Sequence, residues 1–188
     1  MRGREFFRIF KLFLFMASWI LKLFPRFLSE WFWIFSDLFP GRLGVSLRYI
    51  LAKRLAKSLG DCVFFGRGVE VKSWQNLSIG SNVSFHKDCY IDASGGITIF
   101  NDVSIAHGCS LLSFDHTWSD NTIPIRSNSL VFNHILIDSD VWVGCGVRIL
   151  SGVTIHSRSV IAAGAIVTKD IVSNTLVAGI PAKVIKKI

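Results

Sequence analysis

Long apolar runs are missing from this chain of 188 residues. In its N-terminal part the longest uncharged stretch, Leu12 to Leu21, is closed off by Lys11 and Lys22. That is about half of the roughly 20 residues a spanning helix requires, although snorkelling of the flanking lysines leaves a strained or re-entrant insertion open. No Ala-x-Ala-like site follows the apolar run behind Arg2, Arg4 and Arg8, which argues against a cleaved signal peptide. Cysteine is scarce, and Cys62, Cys89, Cys109 and Cys145 have neither metal-binding nor redox spacing. Acidic residues are outnumbered, 13 against 21 basic ones, for a net charge of +8. Such a balance raises nucleic acid as a partner, yet the basic residues gather before residue 60 and at the C-terminus without any nucleic-acid-reading motif. No nucleic-acid partner is expected.

What the chain does have is a beat of six. Aliphatic or aromatic residues recur at Leu59, Phe65, Val71 and Leu77, then Ile79, Phe85, Ile91 and Ile97, then Ile99, Ile105 and Leu111. After an interruption the series resumes at Ile137, Val143, Ile149, Ile155, Ile161 and Val167. Six is a multiple of two, so in short strands these residues all face one way, whereas a helix would scatter them. Three places after the markers stand Asn82, Asp88, Asp102, Gly108, Asp140, Gly146, Gly152, Gly164 and Asp170, residue types that tolerate positive φ and so suit corners. Four places after them comes a slim row that includes Val83, Cys89, Val103, Cys109, Val147 and Ala165. The two cysteines in that row read as core fillers. A unit of strand and corner cannot bury its own face and must stack on copies of itself, which predicts a triangular parallel β-helix of three hexapeptides per turn. Periodicity leaves its hand open.

The preface is different. Residues 1–58 read as a membrane-associating helical segment and residues 59–188 as the β-helix domain. Phe6 to Phe39 is dense in Phe, Trp, Leu and Ile, with Pro25 ending a first helical run. Trp31, Phe32 and Trp33 form an aromatic cluster suited to lipid headgroups. Beyond Pro40 and Gly41, Leu47, Leu51, Leu55 and Leu59 recur at i+4 while Arg48, Lys53, Arg54 and Lys57 take other faces, the pattern of a basic amphipathic helix. The bland alternative is that these helices pack on the β-helix as ordinary core. So many exposed aromatics would be an aggregation liability in water, which favours a membrane surface.

Function is sought where the repeat breaks, between Leu111 and Ile137. There Ser113-Phe114-Asp115-His116-Thr117-Trp118 opens a polar excursion. With the repeat, this wording resembles the hexapeptide-repeat acyltransferases, particularly the branch that O-acetylates sugars, polysaccharides and lipopolysaccharide. The likeness covers roughly Leu59 to Ile188. It implies a left-handed parallel β-helix, a homotrimer with its site between neighbouring subunits, and acetyl-CoA or another acyl-CoA as donor. No metal is expected: His86, His107, His116, His134 and His156 lack the close histidine pair of the carbonic anhydrases built on this fold.

The resemblance assigns His116 as the catalytic base. A sugar hydroxyl is a poor nucleophile near neutral pH, and a neutral imidazole can take its proton and return it to the leaving thiolate. His86 stands where similar enzymes carry an acceptor-positioning Asn, and Asp115 could orient the imidazole or point away; both count as acceptor-side candidates. On the donor side, Asp140-Val141-Trp142-Val143-Gly144-Cys145 matches the family stretch in which Trp142 would pack along pantetheine. Cys145 would offer its backbone N–H to the thioester oxygen. Ala163, Thr168 and Lys169 match groove-lining positions, and Lys183 and Lys186 match basic positions near the CoA phosphates, where Arg is commoner. The expected protein is a cytoplasmic enzyme, peripherally attached to the membrane, that acetylates a lipid-linked or polymeric carbohydrate. The rival expectation is a soluble small-sugar or xenobiotic O-acetyltransferase.

Overall fold

The computed structural model describes residues 3–188; Arg2 lies outside the described residues, as do the side chains of Arg4 and Phe6. From Ser58 onward the chain winds as a three-faced prism of parallel strands. The first face stacks Ser58–Leu59, Leu77–Ile79, Ile97–Ile99, Ile135–Ile137 and Thr154–Ile155. A second stacks Phe64–Phe65, Ser84–Phe85, Val103–Ile105, Val141–Val143, Ser159–Ile161 and Thr175–Ala178. The third stacks Glu70–Lys72, Tyr90–Asp92, Ser110–Leu112, Arg148–Ile149 and Ile166–Val167.

The markers sit in straight columns. On the second face Phe65, Phe85, Ile105, Val143, Ile161 and Val177 are in register, and every one is fully buried. Because strand side chains alternate, the residues between markers face outward, and the slim row turns inward just past each corner. Cys89 and Cys109 are buried there with free thiols donating to Ala106 O and Gly144 O. Contact with the Cys89 sulfur, and then burial, pushes the Cys109 thiol up, so it is an inert filler.

Eight of the nine expected corner residues have positive φ. Asp170 is the exception: its carboxylate instead accepts the Thr154 N–H at 2.7 Å. Conversely, Cys62 and Arg158 adopt φ of 54° and 55° although neither type favours it. They hold the third place after Leu59 and Ile155, so stacking imposes the conformation against a local cost of about 1–2 kcal/mol.

Ahead of the prism come three helices, α1 (Gly3–Ile20), α2 (Arg26–Phe35) and α3 (Gly41–Leu55). They close its open end. A first coil leaves a rim of backbone carbonyls with no strand beyond it, the liability of any exposed sheet edge. Here side chains meet that rim. Arg48 Nε donates to Phe65 O at 2.8 Å, Trp33 Nε1 to Val69 O at 3.0 Å and Tyr49 Oη to Gly60 O at 3.2 Å. Lys53 Nζ donates to Leu59 O. Trp33 also meets Phe65 and Trp74 edge-on, at 5.4 and 4.8 Å between ring centroids, extending the core into the cap.

Two expectations change as a result. Trp33 does not join Trp31 and Phe32 in an exposed cluster; it is a buried plug, whereas those two are exposed. Nor is 47–59 one amphipathic surface helix. α3 stops at Leu55, Leu59 belongs to the first strand, and Arg48 is buried, held also by Ser36 O at 3.1 Å and facing Asp37 at 3.5 Å.

Candidate active site

The break in the repeat occurs at the edge between the third and first faces. Ser113 anchors it: its hydroxyl donates to Asp92 O at 2.7 Å and accepts from Gly95 N–H at 2.9 Å. From there Phe114–His116 pairs antiparallel with Leu130–Phe132, a hairpin standing off the prism with His116 opposite Leu130. The excursion beyond is folded rather than slack. Asn128, nearly buried, accepts the Asp120 N–H at 2.9 Å and donates to Asp120 O at 3.1 Å. Thr122 binds the Asp120 carboxylate through hydroxyl and N–H, holding that carboxyl below its usual range. The His116 ring is exposed at the hairpin end, 6.2 Å from the Phe114 ring. Asp115, its neighbour on the same strand, leaves on the opposite face and so is not placed to orient the imidazole.

A different edge, between the second and third faces, gathers another set. Cys145 and Ala163 occupy equivalent places in consecutive coils, bridged by Gly164 N–H to Cys145 O at 2.8 Å. His107 lies one coil earlier, its carbonyl accepting the Gly146 N–H at 2.9 Å, and His86 another coil before that. Gly144 and Gly146 carry the ladder at this corner, and among the described residues the Cys145 N–H has no acceptor. It is free to face a ligand oxygen. His107 was not singled out from sequence, though counting two places past Ile105, as Cys145 follows Val143, finds it.

On the outer surface of the second face, Ser104, Trp142, Val160 and Leu176 are in register, and Lys186 pairs with Leu176. The closing strand, Lys183–Lys187, runs antiparallel to Thr175–Ala178 with a register shift between Leu176 and Val177. That irregularity matters: three residues apart, Lys183 and Lys186 would otherwise face opposite ways, but here they pair with Ala178 and Leu176 on one outward face. At about 4.8 Å per strand, Trp142 and Lys186 bound a track about 14 Å long. Gly144 has no room for a side chain, since a Cβ would lie 2.6 Å from Ala163 N. Thr168 and Lys169 lie elsewhere, on the His116 edge one coil beyond Ser151 and Gly152.

The chain therefore brings Trp142, Cys145, Ala163, Lys183 and Lys186 to adjoining surfaces, with His86 on the same edge. It sets His116, Thr168 and Lys169 on another edge. Among the described residues no three His, Cys, Asp or Glu side chains converge as a metal site. His134 bonds Thr98 at 3.0 Å and His156 bonds Asp138 at 3.1 Å.

The family description "Bacterial transferase hexapeptide (six repeats)" matches residues 134–169. A galactoside O-acetyltransferase of Escherichia coli is 34% identical over 145 residues, covering 77% of this chain and 70% of that protein. A second E. coli protein, named provisionally as a lipopolysaccharide biosynthesis O-acetyl transferase, is 30% identical over 125 residues, 66% of this chain and 60% of that protein. Among solved structures, a hexapeptide-repeat acetyltransferase of Vibrio cholerae in complex with acetyl coenzyme A superposes with a TM-score of 0.77 at 25% identity, over 86% of each chain.

Proposed function

The chain belongs to the hexapeptide-repeat acetyltransferases, enzymes built on a left-handed parallel β-helix, and on that footing we propose that it moves the acetyl group of acetyl-CoA to a carbohydrate hydroxyl with His116 as general base. The observation that carries the reading is the division of site residues between two edges. A histidine on one edge and a donor track beside another become one site when a second protomer is set alongside, as in a closed ring of three.

In that arrangement the neutral His116 imidazole accepts the proton of the acceptor hydroxyl as its oxygen attacks the thioester carbon. The Cys145 N–H of the neighbouring protomer donates to the oxyanion that forms. Collapse expels the CoA thiolate, which takes the proton back from the imidazolium. Trp142 packs along the pantetheine arm, and Lys183 and Lys186 meet its phosphates as point charges. Holding both substrates in one cleft supplies the orientation that free encounter lacks.

The acceptor is a lipid-linked or polymeric glycan at the cytoplasmic membrane face. Supporting this are the similarity to the protein named for lipopolysaccharide biosynthesis and an exposed apolar preface that a soluble sugar would not need. The similarity to galactoside O-acetyltransferase favours a second reading, a small soluble sugar as acceptor.

Subunit mixing tests the core of the proposal. His116→Ala removes the base, and Ala163→Trp, at an exposed corner, fills the donor groove. Each variant alone should lose transfer, His116→Ala by about a hundredfold or more while still binding acetyl-CoA. Refolded together they should regain up to about a quarter of the sites, since some neighbouring pairs then hold an intact imidazole and an intact groove. Undiminished transfer by His116→Ala, or no recovery on mixing, overturns the assignment.

A further inference from the structure

A helix in water turns its large apolar side chains inward and its small polar ones outward. α1 and α2 instead expose most of their large apolar side chains and bury serines beside Phe7, Leu14 and Trp33. The buried positions include Ser18 and Ser29, and Ser36 just past the end of α2, with relative exposures of 4%, 1% and 0%. On the outside are Leu12 at 74%, Phe13 at 65% and Trp19 at 63% on α1, and Phe27 at 58%, Trp31 at 63% and Ile34 at 72% on α2. Small inward residues let helices approach closely, as they do where the surroundings are lipid rather than water.

The arrangement within each helix is orderly. α1 buries one stripe, Phe7, Leu14 and Ser18, and Phe7 meets Tyr49 of α3 edge-on at 5.0 Å. At 3.6 residues per turn the side opposite that stripe carries Ile9, Leu12, Phe13, Met16 and Ile20. Arg8 and Lys11 fall on the flank between the two, and Lys22 follows just beyond the helix end. Lys11 already pairs with Asp61 of the prism at 2.5 Å, marking where the protein side begins. On α2 the exposed stripe Phe27, Trp31, Ile34 lies opposite Ser29 and Trp33. No described helix is long and apolar enough to cross a membrane.

We infer that α1 and α2 form a monotopic platform that buries its outer face at the boundary between headgroups and acyl chains of one anionic leaflet. Aromatic and aliphatic side chains enter the leaflet, and basic flanks meet acidic headgroups. α3 stays out of the bilayer, because it is spent on closing the prism. Such a platform brings the enzyme to acceptors carried by the membrane, and it stands independently of the role given to His116.

The test is flotation of the full-length protein with phosphatidylcholine vesicles, with and without phosphatidylglycerol. Wild type should float, more with the acidic lipid, and stay bound in high salt. The triple change Phe27→Ser, Trp31→Ser, Ile34→Ser should cut the bound fraction at least about tenfold, given the apolar area removed from the leaflet. Retained acetyl-CoA binding by that variant shows that it is folded. Equal flotation of variant and wild type, or release of wild type by salt alone, overturns the platform. So does a wild type that ignores vesicles and associates through this face with further copies of itself, an assembly the triple change would dissolve.

Discussion

The prism and the helices ahead of it are both rich in apolar residues, yet they point them in opposite directions. Every six residues in the prism a Leu, Ile, Val or Phe turns to the axis and vanishes from the surface. In α1 and α2 serines turn in and most of the large apolar side chains turn out, Phe7, Leu14 and Trp33 excepted. Orientation tells these regions apart: the prism turns its large apolar groups to its own core, and the proposed leaflet would take that part for α1 and α2.

Single substitutions should expose that contrast. Phe85 stacks on Phe65 with centroids 5.1 Å apart inside the prism, so Phe85→Ala should cost about 3–5 kcal/mol in chemical denaturation, unfolding the protein at the lower limit of its stability. Next comes the seam between the regions. Arg48→Met leaves the buried Phe65 and Ser36 carbonyls without their donor and should cost about 2–3 kcal/mol by the same measurement. Trp33→Phe keeps most of the plug but loses one bond to Val69 O, for about 1–2 kcal/mol. Phe27→Ser, an exchange as severe in chemistry as any of these, should alter stability in water by no more than about 0.5 kcal/mol. A large loss at Phe27 would mean that the outer stripe of α2 packs against something within the protein itself, and the contrast would fail.

Much of the prism was legible because its signal is repeated: a period of six, a corner residue three places on, a slim residue four places on. Where one residue stood alone, legibility ended. Nothing local marks Arg158 for a left-handed corner; the coils above and below force it. Trp33 reads like its neighbours Trp31 and Phe32, and only the open end of the prism, with the unmet carbonyl of Val69 and the rings of Phe65 and Trp74, explains why that ring turns inward. Arg48 likewise looked like one more surface charge until the prism's rim supplied acceptors for it. The candidate residues could be named from the sequence but not placed. His116 and Cys145 are separated by edge, which depends on how many strands the chain lays down between them. The irregularity that sets Lys183 beside Lys186 has no sequence mark at all.

The position of the hairpin along the stack has one more consequence. His116 springs from the third coil above the capped end, so at about 4.8 Å per coil it rides roughly 10 Å higher than the first. That elevation is written in whole coils and in nothing else. Inserting or deleting one would raise or lower the imidazole by a single step, leaving its chemistry untouched. The fold thus doubles as a spacer, and its length sets how far from the cap a hydroxyl must stand to be reached.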